Sequence, residues 1–321
     1  MCRRICLKGM LVTDIFICHS SYEPRCLTQV SNFNDRKFAM AIVFGSGKWK
    51  TDAVYKGHHE DILEALRERT SNNVSSLILD RGDKIEFLTK LHENLNEVEK
   101  SSNILVDIST FPRDRLLMIL RYLALNFDPA NVVLHHCSPE SYATDKSDEN
   151  AWLAQGVKRV EAVPGFNGLQ KSRAGCLVII QLGHEKERPQ ITATSLEPDK
   201  LAILHQGDLQ YKHGVIRISH ANNSTLIEAF EAKIVERTNV SYNDWAKAKA
   251  EICRIYQKYH KSFNIFISPN GTKIQLLGAL AAALKFPEIQ IRYAEPQVYN
   301  PDSSFGSGKE WTCDLGTILN D

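Results

Sequence analysis

FNIFISPNGTKIQLLGALAAALKFPEIQIRYAEPQVYN, residues 263–300, decides the fold class. Phe263–Ile267 is an apolar, β-favouring run. Ser268-Pro269-Asn270-Gly271-Thr272-Lys273 breaks it with turn formers. Ile274–Leu284 is rich in Leu and Ala, which favour helix, and Ile289–Tyr293 alternates like a strand. A helix starting directly after a buried strand presents backbone N–H groups and the positive end of its dipole. With Asn270, Gly271, Thr272 and Lys273 at its mouth, this element suits an anion, most naturally a phosphate. The same residues also suit an ordinary strand-to-helix turn capped by a threonine.

The element has an echo in Asn103–Tyr142, NILVDISTFPRDRLLMILRYLALNFDPANVVLHHCSPESY. Leu116-Leu117 align with Leu276-Leu277 and Arg113 with Lys273, an offset of 160 residues; Pro139 and Tyr142 align with Pro296 and Tyr299 at 157. Upstream, the strand-like runs 14–20 and 176–183 are each followed by a charged turn, Tyr22–Arg25 and Glu185–Arg188. Lys37–Met40 and Lys200–Ile203 then open another strand at an offset of 163. Nearly constant offsets across pieces in the same order point to two related α/β halves, 1–150 and 151–321. The period is far too long for a solenoid.

The bulk properties agree. A chain of 321 residues is longer than one comfortable core, and two halves of this size fit the usual domain range. A net charge of +1 and a pI near 7.6 argue against a nucleic-acid polymer as the main partner. The eight cysteines form no C-x-x-C pair, and Cys2 and Cys6 have no second pair at finger spacing, so reduced thiols in a cytoplasm are expected. The opening MCRRICLKGMLV is too short and interrupted for a secretory signal, and no apolar run approaches membrane-spanning length.

Along the chain, Leu11–Ser20 reads as the first strand, and Ser20, Glu23 and Arg25 lie just beyond its carboxyl end, where open α/β sheets gather ligands. A solvated loop with a Glu/Arg pair is the alternative. Phe38–Phe44 is a second strand running into Gly45-Ser46-Gly47-Lys48, a run repeated at Gly306–Lys309; both lack the spacing of a Walker loop. Helices are expected over His59–Thr70 and Lys84–Lys100, with a strand over Val74–Leu79 and a turn at Asp80-Arg81-Gly82-Asp83. Ser109, Thr110 and Arg113 precede or open the next helix, with Pro112 in its first position. His135-His136-Cys137 tempts a metal reading, but no further ligands stand nearby and no metal or other cofactor is expected. Ser138–Asn150 and then Trp152–Gly165 read as the connection between halves. In the second half strands are expected over Leu177–Leu182, Asp199–Leu204 and Val215–Ser219, helices over Asn223–Arg237 and Tyr242–His260, and a Gly/Ser tail loop over Asp302–Lys309.

At the strand–Asn270-Gly271-Thr272-Lys273–helix element the chain resembles the CARF family of CRISPR-associated Rossmann-fold ligand sensors, whose later strand often ends in Gly-Gly-Thr-Lys before an Ala/Leu-rich helix. Paired halves make it more similar to the tandem CARF-like SAVED sensors of antiphage systems. Asn270 replaces the first glycine, and the first half carries no Gly-Thr-Lys. The resemblance implies two Rossmann-like halves arranged as an internal pseudo-dimer around a pocket for a cyclic oligonucleotide. Thr272 and Lys273 match its motif directly; Ser109, Thr110 and Arg113 match through the repeat. Three functions stay open: a sensor of a phosphorylated nucleotide in an antiviral defence system, an enzyme that processes such a nucleotide, or a structural subunit with a protein partner from a defence operon.

Overall fold

The computed structural model describes residues 14–32, 36–47, 51–80, 82–142, 152–206 and 215–320. Cys2, Cys6, Lys48, Arg81 and residues 143–150 of the joining loop lie outside them. The first elements are β1 (Ile15–His19), α1 (Thr28–Asn32), β2 (Phe38–Ser46), α2 (Ala53–Arg67), β3 (Thr70–Leu79), α3 (Lys84–Leu95), β4 (Ile104–Asp107), α4 (Arg113–Asn126), β5 (Val132–Cys137) and β6 (Ser141–Tyr142). There follow β7 (Ala154–Ala162), β8 (Gly175–Gln181), α5 (Glu187–Leu196), β9 (Lys200–Gln206), α6 (Val215–Phe230), β10 (Ile234–Val240) and α7 (Trp245–Tyr259). The chain ends with β11 (Phe263–Pro269), α8 (Lys273–Lys285), β12 (Gln290–Tyr299), β13 (Ser304–Phe305), β14 (Glu310–Asp314) and α9 (Leu315–Asn320).

The fold is mixed α/β with parallel sheets. It divides into two compact units, one running to Ser141 and including Ser304–Asn320, the other Tyr142–Ser303. The first sheet has the order β3-β2-β1-β4-β5-β14, the second β10-β9-β8-β11-β12-β7. In each, the first five strands are parallel and the sixth is antiparallel to the fifth. The order of the five parallel strands is therefore the same in both sheets, whereas the sixth precedes them in the chain in one sheet and follows them in the other.

Each sheet is covered on both faces, as parallel sheets require. In the first unit Phe16, Cys18, Ala41 and Val43 meet Ile62 and Leu66 of α2. On the opposite face Phe44 packs at 4.8 Å against Phe87 of α3. In the second unit Val178, Ile180 and Leu182 meet Ala193 of α5 and Leu226 of α6. On the other face α8 is buried from Ile274 through Ala283, which explains why it carries so little polar sequence. Gly278 permits its close crossing with α7: a Cβ there would stand 2.6 Å from the Trp245 carbonyl oxygen and from Ala248 Cβ.

Several expected boundaries move. α2 begins at Ala53, not His59, because Asp52 caps it by accepting from Tyr55 N at 3.0 Å. Val215–Ser219, read as a strand, is the start of helix α6, and the helix expected over Asn223–Arg237 ends at Phe230 and gives way to β10. β9 and β10 are parallel neighbours, and such neighbours need a long crossover, which overrides the β preference of Val215-Ile216. Trp152–Gly165 is not a bare connection but supplies β7, the antiparallel edge of the second sheet. The Gly/Ser segment Asp302–Lys309 does not end the fold; β14 and α9 follow, and β14 joins the first sheet beside β5. The chain's end thus departs from a simple 1–150 and 151–321 division.

Candidate functional site

In this strand order the connections change direction between β1 and β4 in the first sheet and between β8 and β11 in the second, and crevices open beyond the carboxyl ends of such strands. Of the ten residues singled out in the sequence, eight lie in the turns beyond β1, β4 or β11, and Arg113 and Lys273 open the helices that follow β4 and β11. Their side chains are engaged there to different degrees.

In the first unit Ser20 is fully buried, and its hydroxyl lies 2.7 Å from His59 Nδ1 and donates to the Phe44 carbonyl at 3.2 Å. With its proton given to Phe44, Ser20 accepts from His59 Nδ1–H, which leaves His59 Nε2 to accept from Ser76 Oγ at 2.9 Å. Burial lowers the pKa of His59, in keeping with this neutral ring, while Glu60 pulls the other way. Tyr55 closes the network by donating to the Ser20 carbonyl at 2.6 Å. Ser20 is thus a structural member of the rim.

Glu23 and Arg25 form a buried ion pair, not a solvated one: Arg25 Nε and Nη2 each reach Glu23 Oε2 at 2.8 Å. Arg25 Nη1 also donates to the Cys137 carbonyl at 2.8 Å, and Ser304 Oγ donates to the same carboxylate. The pair ties the turn after β1 to the end of β5. The second unit repeats the device. Arg188 Nη1 meets both oxygens of Glu185, at 3.0 and 2.9 Å, and its Nε donates to the Ala294 carbonyl at 2.7 Å. Arg188 lies over the Tyr293 ring, 4.7 Å from its centroid. Burial alone would lower the guanidinium's pKa, but the charge of Glu185, helped by Tyr293 and Tyr299, raises it. Arg25 and Arg188 are 163 residues apart and their carbonyl partners Cys137 and Ala294 are 157 apart, the same two offsets that relate the repeated motifs.

Beyond β4, Ser109 N donates to Asp107 Oδ1 at 2.8 Å and Ser109 Oγ accepts from Cys137 N at 2.8 Å. Burial raises the pKa of Asp107, against its hydrogen bonds with Ser109 and the pull of His135 and Arg25. Thr110 Oγ1 donates to the His19 carbonyl and does not cap α4. Pro112 occupies the cap position itself, and Arg113 opens the helix, half-buried.

Beyond β11, Asn270 folds back on its own turn, donating from Nδ2 to Ser268 Oγ at 2.8 Å. Its carbonyl approaches Gly183, after β8, so closely that a Cβ at Gly183 would lie 2.1 Å from that oxygen. Thr272 and Gln275 form a reciprocal capping box: Thr272 Oγ1 accepts from Gln275 N at 3.2 Å and Thr272 N donates to Gln275 Oε1 at 3.0 Å. Gln275 Nε2 donates to the Val240 and Ser241 carbonyls, both at 3.1 Å, fastening the turn after β10 to α8. A side chain at Gly271 would collide with Gln275 Oε1 at 2.2 Å, so the glycine makes room for the cap. Lys273 opens α8 and is half-buried, as Arg113 opens α4.

Gln275 was legible in T-x-x-Q spacing but was not singled out. Arg188 and Glu185 were visible as an echo of the first charged turn without a role. Among the described residues no cluster of His, Cys, Asp and Glu could hold a metal, and no helix is long and apolar enough to cross a membrane. No family model and no curated protein matches the chain. Among solved structures it is similar to a putative universal stress protein from Pseudomonas aeruginosa UCBPP-PA14, at 12% identity over 89% of this chain and 94% of that one, with a TM-score of 0.26. It is also similar to the cytoplasmic domain of a prokaryotic cation chloride cotransporter, at 10% identity over 88% and 95% of the two chains, with a TM-score of 0.28. Both scores are low, and neither likeness carries the function proposed below.

Proposed function

We propose that this chain is a ligand-sensing protein for a phosphorylated nucleotide, a cyclic oligonucleotide messenger of an antiviral defence system. In this reading its Rossmann-like halves act as an internal pseudo-dimer. One observation carries the proposal. Arg113 and Lys273, 160 residues apart, each open a helix directly after the strand beside the switch point of their sheet. A cation and a helix N-terminus in the same place, twice, suit a ligand that repeats its phosphates. The neighbouring Ser109, Thr110, Asn270 and Thr272 hold the turns in shape through hydrogen bonds within the fold.

The test is calorimetric titration of the full chain with a panel of cyclic di-, tri- and tetranucleotides, repeated with Lys273→Ala and Arg113→Ala. Losing one charge-assisted contact should weaken binding by about tenfold or more in either variant. Failure of every cyclic nucleotide of the panel to bind, or unchanged affinity in both variants, would refute the proposal.

A further inference from the structure

We propose that β3, the outer strand of the first sheet, is a pairing edge for a second copy of this chain. β3 and β10 hold the same place in their sheets, outside the strand that neighbours β1 or β8. Their chemistry differs. β10 carries Glu236 and Arg237, and both are engaged: Glu236 with Arg254 and Lys258 at 3.0 and 2.7 Å, Arg237 with Glu231. Charged side chains are one of the ways in which sheet edges refuse another strand. β3 is longer, and its ten residues, TSNNVSSLIL, include no charge and no proline. Among the described residues no strand lies on its outer side.

The stretch is complementary to itself. From Asn73 to Leu79 its register with β2 is unbroken, so alternate residues turn N–H and C=O groups outward along a regular edge. An antiparallel pairing about a two-fold axis at Ser76 sets each residue against one of the same stretch. Val74 then stands across from the partner's Ile78, Ser75 across from the partner's Leu77, and Ser76 across from the partner's Ser76. The axis makes two Val–Ile pairs, on the face that Val74 shares with Ile62 and Leu66 of α2, and such β-branched pairs stabilise antiparallel ladders. No register sets charge against charge, because the stretch has none. Val74, Leu77 and Ile78 are only half-buried, whereas residues 41–45 of the neighbouring β2 are buried, so apolar surface remains for a partner to cover. The pairing adds about seven backbone hydrogen bonds. It involves neither Arg113 nor Lys273, so it stands or falls apart from the nucleotide reading.

Sedimentation equilibrium of the full chain, with no nucleotide added, tests it, together with amide hydrogen exchange at two protein concentrations. A mass of twice 36.3 kDa should appear at high micromolar concentration and fall on dilution. Amides of residues 73–79 should exchange more slowly in the concentrated sample. Ser76→Lys sets two like charges across from each other and should weaken the dimer by about tenfold or more. Ser76→Thr keeps the hydroxyl that meets His59 and should stay dimeric. Ser76 is exposed, and circular dichroism checks that the lysine variant folds; if it does not, the exchange of the wild type decides. A monomeric mass at every concentration, a dimer indifferent to Ser76→Lys, or exchange in residues 73–79 that ignores concentration would overturn the proposal.

Discussion

Removing Arg188 should cost more than any surface charge in this protein, and the structure says how much. Its guanidinium makes two contacts with Glu185 and one with the Ala294 carbonyl, all at 3.0 Å or less, and Arg188 is only 2% exposed. Arg188→Met leaves the Glu185 carboxylate, itself 8% exposed, without its counter-charge. Breaking a buried pair on one side costs about 3–5 kcal/mol. For a unit of this size that corresponds to a fall of roughly 6–20 °C in melting temperature. Replacing both partners, Arg188→Met with Glu185→Leu, removes the stranded charge and should recover most of the loss, because buried pairs gain little net stability over apolar replacements. Urea unfolding of the wild type, the single and the double variant, followed by tryptophan fluorescence and circular dichroism, gives the comparison. If the double variant is as unstable as Arg188→Met, or if Arg188→Met is neutral, the clamp is not the stabilising contact argued for here.

Two further outcomes follow from packing and ionisation. Gly278→Ala should destabilise by about 1–3 kcal/mol despite alanine's better helix propensity, because the new Cβ would sit 2.6 Å from Ala248 Cβ and 2.7 Å from Lys249 N, forcing α7 and α8 apart; a urea midpoint at or above wild type would refute the tight crossing. His59, hydrogen-bonded to Ser20 and Ser76, has a pKa below its ordinary 6.5, so the unfolded chain binds the proton first. Its contribution to stability should be complete above that pH and decline as the pH falls through the folded value, and His59→Gln should lose this component; equal pH slopes for variant and wild type between pH 7.5 and 5 would exclude it.

Much of the architecture was legible locally. The strand–turn–helix pattern of residues 263–285 is the structure's β11–α8, and the offsets of 163 and 157 that relate the halves also relate Arg25 to Arg188 and Cys137 to Ala294. The candidate site was less legible. Ser20, Ser109 and Thr110 read as hydroxyls at a rim, yet their partners are His59, Cys137 and His19, up to 91 residues away in sequence. Glu23 and Arg25 read as rim candidates or as a solvated pair, because nothing near them in sequence announces the Cys137 carbonyl or Ser304.

By itself the sequence determined the elements whose signal is short-range: the apolar runs of β8 and β11, the threonine cap at Thr272, the Ala/Leu run of α8, and the recurrence of the strand–turn–helix pattern in order. Only the tertiary structure decided that Val215-Ile216 begins a helix, that β7 and β14 complete opposite sheets, and which polar groups are consumed inside the fold. The physical reason is one of range. Periodicity and capping act over a few residues, whereas strand neighbours and hydrogen-bond partners are selected by burial across the whole unit, as when Ser304 closes on Glu23 from 281 residues away.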